Sequence, residues 1–242
     1  PRTQVVSPEP GQSVAAAIEE LRDEANVLYA EPNYVERLDG APPNDPYWSL
    51  EWALHNTGQD VGGVLGVAGA DMNALAGWDI GRTSSNTITA VIDSGVAMDH
   101  PDLAGQLWTN PGETPANGID DDGNGFIDDV HGWDFAHGDN DPRDGDDHGT
   151  HTAGTIGAAG DNGIGIAGVS QNAVIMPLQV CPSVGGCAIS NQINAIAYAA
   201  AMGAKVANIS IGGTAFSQSR RDAIAAAPGI LFSVSAGNDG AD

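Results

Sequence analysis

At 242 residues the chain can bury a sizeable core, as one large α/β domain or a domain with a small appendage. Its 8 basic residues against 32 acidic ones give a net charge of −24, a field that repels nucleic-acid phosphates and anionic lipid and suits cation binding. No apolar run approaches the roughly 18 residues of a membrane span and no signal segment opens the chain; it starts at Pro1, so an N-terminal portion is expected to precede it.

Residues 13–25, "SVAAAIEELRDEA", carry a Ser cap and apolar positions at helical spacing, which predicts a helix. "NVLYAEPNYVERL" (26–38) reads as a short strand stopped by Pro32, and "DGAPPNDP" (39–46) as a linker. A small α+β piece is thus expected ahead of a main domain. In the main domain "TITAVID" (87–93), "AVIMPLQV" (173–180), "KVANISI" (205–211) and "ILFSVSA" (230–236) are apolar runs ending near turns, with helical stretches at 149–159, 189–202 and 217–227. Buried strands alternating with helices predict a doubly wound, mainly parallel sheet with flanking helices. Its ligand site belongs at the carboxyl ends of the strands, where Asp93, Ser210 and Asn238 fall.

"CPSVGGC" places Cys181 and Cys187 around a Gly-Gly that can bring their Cα atoms to bridging distance. A disulfide and two free thiols are both open, and a bridge would favour an oxidising, extracellular compartment. "NGIDDDGNGFIDDVHG" presents Asp120, Asp122, Asn124 and Asp128 at alternating spacing with Gly125 at the turn. This is similar to an EF-hand loop, although His131 stands where the closing Glu belongs. Oxygen ligands in this number repel one another without a cation, so Ca2+ is expected there.

The densest chemistry lies in "DGDDHGTHTAGTIGA" (144–158), where His148 heads a helix and His151 follows. A zinc-protease helix needs His at i and i+4 with a Glu beside the first. Here the spacing is i+3 and Gly149 replaces the Glu; His151 is expected to be partly buried, packing the helix on the sheet. Asp93 ends an apolar strand, where a carboxylate is costly unless hydrogen-bonded or paired. Asp93 and His148 can supply a base and the group that orients it, and Asn238 in "SAGND" an amide donor.

Four blocks in order, "AVIDSGVAMDHPDL", "DDHGTHTAGTIGA", "ANISIGG" and "VSAGND", resemble successive motifs of the subtilisin-like serine proteases, the subtilases, over roughly residues 43–242. The resemblance implies a serine endopeptidase of the Asp-His-Ser type acting on protein or peptide substrates: Asp93 as triad carboxylate, His148 as general base, Asn238 as oxyanion donor. It implies that Ser210, Ile211 and Gly212 pair with an extended peptide and that Ala236 and Gly237 wall the first specificity pocket. It implies a second Ca2+ site at Asp45, Asp102 and Asn162, with carbonyls of the "GDNGIGI" loop. Residues 1–40 resemble the end of an inhibitory propeptide, which would be a partner of residues 41–242, and secretion follows from the same likeness. The family's nucleophile stands in a "GTSMA"-like block; none occurs here, and "GGTAF" (212–216) lacks the serine. The serine is therefore expected beyond Asp242, with 41–242 the first two thirds or so of a peptidase domain and the chain alone inactive. The alternative class is a noncatalytic, acidic, calcium-binding extracellular module, which sequence after Asp242 without a Gly-Thr-Ser block would support.

Overall fold

The apolar runs and the small-residue helices between them assemble as one parallel sheet with helices on both faces. The computed structural model describes residues 3–33, 40–81, 86–213, 215–238 and 240. The chain divides into two units, Pro1–Asp39 and Gly40–Asp242. In the first, α1 (Val14–Arg22) begins where Ser13 accepts the Ala16 N–H at 3.2 Å and ends three residues short of the expected boundary. The expected strand does not form over residues 27–33, and 34–38 lie outside the described residues. A strand needs a partner for its ladder, and Pro32 has no N–H to give one.

The second unit opens with a 3-10 turn (Trp48–Leu50), a hairpin of β1 (Asp60–Val61) and β2 (Val64–Leu65), and α2 (Ala74–Ile80). The segment read as a linker is anchored: Asp45 is buried and accepts the N–H of Asp161 at 2.9 Å. The main sheet comprises β3 (Ile88–Asp93), β4 (Trp133–Asp134), β5 (Val174–Gln179), β6 (Val206–Ile209) and β7 (Leu231–Val234). Its order is β4-β5-β3-β6-β7 and every pair is parallel. Winding leaves β3 in one direction toward β5 and β4, and in the other toward β6 and β7. The crevice at the carboxyl ends of β3 and β6 is thus the switch point of the sheet.

Side-chain alternation assigns the faces. Ala90, Ile92, Met176 and Leu178 point to one side, where α4 (Ile189–Ala201) covers them with Ala195, Ile196 and Ala199. The α5 helix (Gln218–Ala225) lies next to α4. Val91 and Ile175 point to the other side and pack with Ala153 of α3 (His148–Gly157). Val91, Ile92, Ile175, Leu178 and Ile196, all fully buried, each contribute about 1.5–3 kcal/mol. Asp93 has the parity of Val91, so its carboxylate emerges on the α3 face, beside the first turn of that helix. Gly149 permits the approach: a Cβ there would lie 2.1 Å from the carbonyl oxygen of Gly95 and 3.2 Å from the Cβ of Asp93.

Candidate active site

Asp93 is 1% exposed, a carboxylate at the end of the central strand that water does not reach. The Nδ1 of His148 lies 2.7 Å from its Oδ1, and the same oxygen accepts the Ser94 N–H at 2.7 Å. The imidazole itself is half exposed, with 53% of its side-chain surface open. The His148 pKa is raised, chiefly by the hydrogen bond to Asp93; partial burial opposes the shift, while the charges of Asp93, Asp146 and Asp144 support it. An Nδ1–H donated to Asp93 leaves Nε2 as the nitrogen that can take a proton from a group in the crevice.

Asp147, just before the helix, holds φ +64°, a left-handed conformation that Asp tolerates better than most residues, and its side chain makes no cap. The first N–H groups of α3 are satisfied from elsewhere, by Ser94 and Asp144. Sequence reasoning passed over both. His151 departs from expectation: it is exposed, because the buried face of α3 is formed by Gly149, Ala153, Gly154 and Gly157.

Ser210, Ile211 and Gly212 leave β6 at the same end of the sheet, with the Ser210 hydroxyl accepting the Asn208 amide at 2.8 Å. The Ser235 N–H donates to the Ile209 carbonyl at 3.1 Å, and a Cβ on Gly212 would stand 3.7 Å from the Gly237 Cα. Segments 210–212 and 235–238 therefore run side by side, with Ala236 and Asn238 exposed and Gly237 at φ +86°. Asn238 follows β7, with β6 between β7 and the strand that bears Asp93.

The acidic loop gathers a different set of ligands from the one its spacing suggests. One carboxylate oxygen each of Glu113, Asp120 and Asp122 lies within 4.8 Å of the others. Glu113 Oε1 accepts the N–H groups of Asp121 and Asp122, while its Oε2 is buried and has no hydrogen-bond partner among the described residues. An orphaned oxygen in a three-carboxylate cluster fits a hard cation such as Ca2+. Asp128 is not in that group, since its two oxygens accept the N–H groups of Asn117 and Gly118. Asn124 is engaged within the loop: its oxygen accepts the Phe126 N–H, and its amide donates to Asp122 and Asp129. Elsewhere Asp45 and Asp102 are both brought to the 161–166 loop. Asp45 accepts the Asn162 N–H at 3.3 Å, and Asp102 accepts the Asn162 amide at 2.8 Å and the Ile166 N–H at 3.0 Å. Glu51, absent from the sequence reading, shares this acidic surrounding. Burial pushes its pKa up to about 7, and the charges of Asp45 and Asp102 add to the rise against the Ala167 N–H it accepts.

Cys181 and Cys187 form a disulfide with Cα atoms 4.2 Å apart. Among the described residues no helix is long and apolar enough to cross a membrane.

The model of the subtilase family matches residues 84–242. A thermophilic serine proteinase from Bacillus sp. (strain AK1) is 31% identical over 230 residues, which is 94% of this chain and 48% of that protein. Thermitase from Thermoactinomyces vulgaris is 34% identical over 200 residues, 82% of this chain and 58% of that protein. A solved protease of Pseudoalteromonas arctica PAMC 21717 superimposes with a TM-score of 0.62 at 25% identity, covering 82% of this chain and 60% of that one. The chain spans about half the length of the curated relatives it matches.

Proposed function

The chain belongs to the subtilase family, and from that membership we propose that it bears the Asp-His half of a serine endopeptidase site, with the serine on a segment after Asp242. The observation that carries the reading is the 2.7 Å contact between a half-exposed imidazole and a buried carboxylate at the switch point of the sheet.

In this reading a peptide lies along 210–212 and the serine Oγ attacks its carbonyl carbon. His148 Nε2 takes the hydroxyl proton, and Asp93 keeps the ring in the tautomer that permits it and stabilises the imidazolium. The Asn238 amide donates to the oxygen that becomes negative; in subtilisin the loss of one such donor costs about 3–4 kcal/mol of barrier. Collapse releases the amine with the proton from His148 and leaves an acyl-serine. Water then repeats the sequence and frees the acid. The Glu113–Asp120–Asp122 group would hold Ca2+ and tie down the loop ahead of β4. Asp45, Asp102 and Asn162 would hold a second ion. Residues 1–40 we assign to the end of an inhibitory propeptide, on the α1 helix and the resemblance of "LYAEPNYV". Secretion is supported by the disulfide.

The test is hydrolysis of a chromogenic peptide by the protein extended past Asp242. His148→Ala should abolish turnover, and Asp93→Asn should lower kcat by roughly 10⁴-fold. Full turnover in both variants would overturn the assignment.

A further inference from the structure

Three carboxylates precede His148 in close succession, Asp144, Asp146 and Asp147, and the fold uses them differently. Asp146 and Asp147 are exposed, whereas Asp144 is partly buried. Asp144 Oδ1 accepts the Ser94 hydroxyl at 2.8 Å and the Asp146 N–H at 3.0 Å. Its Oδ2 accepts the Thr150 N–H at 2.7 Å and the Thr150 hydroxyl. Both hydroxyls pass the connection on. Ser94 Oγ accepts the Gly149 N–H at 2.9 Å, and Thr150 Oγ1 accepts the Ala97 N–H at 2.9 Å.

One carboxylate thus joins the exit of β3, at Ser94 and Ala97, to the first turn of α3, at Gly149 and Thr150. Gly149 and Thr150 directly follow His148 in the first turn of α3, so holding their N–H groups holds the backbone that carries its ring, and the Ser94 N–H also donates to the Asp93 oxygen that holds His148 Nδ1. The helix has no side-chain cap from Asp147, so Ser94 and Asp144 take the N–H groups that would otherwise be orphaned. A negative charge is also favoured at that end of a helix. Burial pushes the Asp144 pKa up, but the donors from Thr150, Asp146 and Ser94 outweigh it and hold the carboxyl below the usual Asp range.

We propose that Asp144 is a positioning residue, fixing the imidazole of His148 on Asp93 through Ser94 and Thr150 while touching neither substrate nor the reacting atoms. The proposal rests on the Asp93–His148 reading above, and two readouts keep the two apart. The first is the 15N titration of the His148 ring in the 242-residue chain; the second is kcat and KM in the protein extended past Asp242.

Thr150→Val leaves the charge of Asp144 in place and removes one hydroxyl of the clamp. It should lower the His148 pKa and reduce kcat by about 100-fold, the scale of a small misplacement in a catalytic group, with KM unchanged. Thr150→Ser keeps the hydroxyl and should restore both values. Asp144→Asn should lower the pKa as well; if that variant does not fold, the Thr150 pair decides alone. A normal pKa and kcat in Thr150→Val would overturn the proposal, with or without a fall in Asp144→Asn, since only the charge of Asp144 would then matter. If the extended wild-type protein cleaves nothing, the protease reading fails, and the ring titration still decides whether Asp144 positions His148.

Discussion

Three glycines of α3 stand in the same helix yet should respond to alanine with opposite signs. A helix interior ordinarily gains about 0.5–1 kcal/mol when Gly becomes Ala. At Gly154 the new methyl would meet only the Ile166 Cδ1, at 3.5 Å, an ordinary contact, so Gly154→Ala should stabilise by that amount. At Gly149 the methyl would fall 2.1 Å from the Gly95 carbonyl oxygen, a backbone atom just past β3 that has no rotamer to move. Overpacking of that kind costs about 1–3 kcal/mol, which exceeds the helix gain and leaves Gly149→Ala destabilised. Gly157→Ala should behave likewise, since its methyl would sit 2.4 Å from the Cβ of Ala173. Gly149→Ala and Gly154→Ala should then differ by the overpacking cost, roughly 1–3 kcal/mol, or by several degrees in Tm for a chain of this size. Gly149→Ala should also lower the pKa of His148, because pushing α3 off β3 lengthens its bond to Asp93, whereas Gly154→Ala should leave it unchanged. Thermal melts of the two variants beside a ring titration of His148 make the comparison. Equal stability, or a more stable Gly149→Ala, would refute the packing argument.

The raised pKa of His148 means that its stabilising contribution is full below the ordinary histidine value and is lost as pH rises through the folded value. Catalysis needs the neutral ring, so activity of the extended protein should rise with pH through that same elevated value, and Asp93→Asn should move the rising limb to lower pH. Glu51, with a folded pKa of about 7 against 4.5, favours the fold while protonated and loses that contribution between those values. In chelator Glu51→Gln, which keeps an oxygen for the Ala167 N–H, should exceed the wild type in stability above pH 7 and match it near pH 4. The gain should be on the order of 1 kcal/mol after solvent screening, read from melts at the two pH values. Ca2+ at a hundred times its Kd should add about 2.7 kcal/mol, and Glu113→Gln should remove one of two binding events in calorimetry. No uptake, with a melting temperature indifferent to chelator, would sink both sites.

The parallel sheet was legible because β3 and β5, covered on both faces, read as unbroken apolar runs, and Asp93 stood out as the polar end of one. His148 was legible as the polar head of a small-residue helix. Its contact with Asp93 across 55 positions was expected from the resemblance, and strand parity explains it once β3 and α3 are paired. Short elements left little pattern. The strand β4 is two residues long, and α2 starts from Asn73 with no side-chain cap and contains Gly77. The β1–β2 hairpin did carry a signal, Gly62-Gly63 between two valines, with both glycines at positive φ. Glu51 was invisible because Ala167 and Asp102 reach it from distant segments, and Glu113 because it lies outside the alternating pattern that drew attention to Asp120 and Asp122. Asp144 was hidden for another reason: in a run of similar carboxylates, only the backbone path says which one turns inward.

The central claim is that Asp93 and His148 await a serine from beyond Asp242. Labelling with a serine-directed phosphonylating reagent tests it most directly, on the 242-residue chain and on the protein extended past it. The account predicts one equivalent of label on the extended protein, at a serine after Asp242, lost in His148→Ala, and none on the shorter chain. Stoichiometric label on one of the serines within residues 1–242 would contradict it.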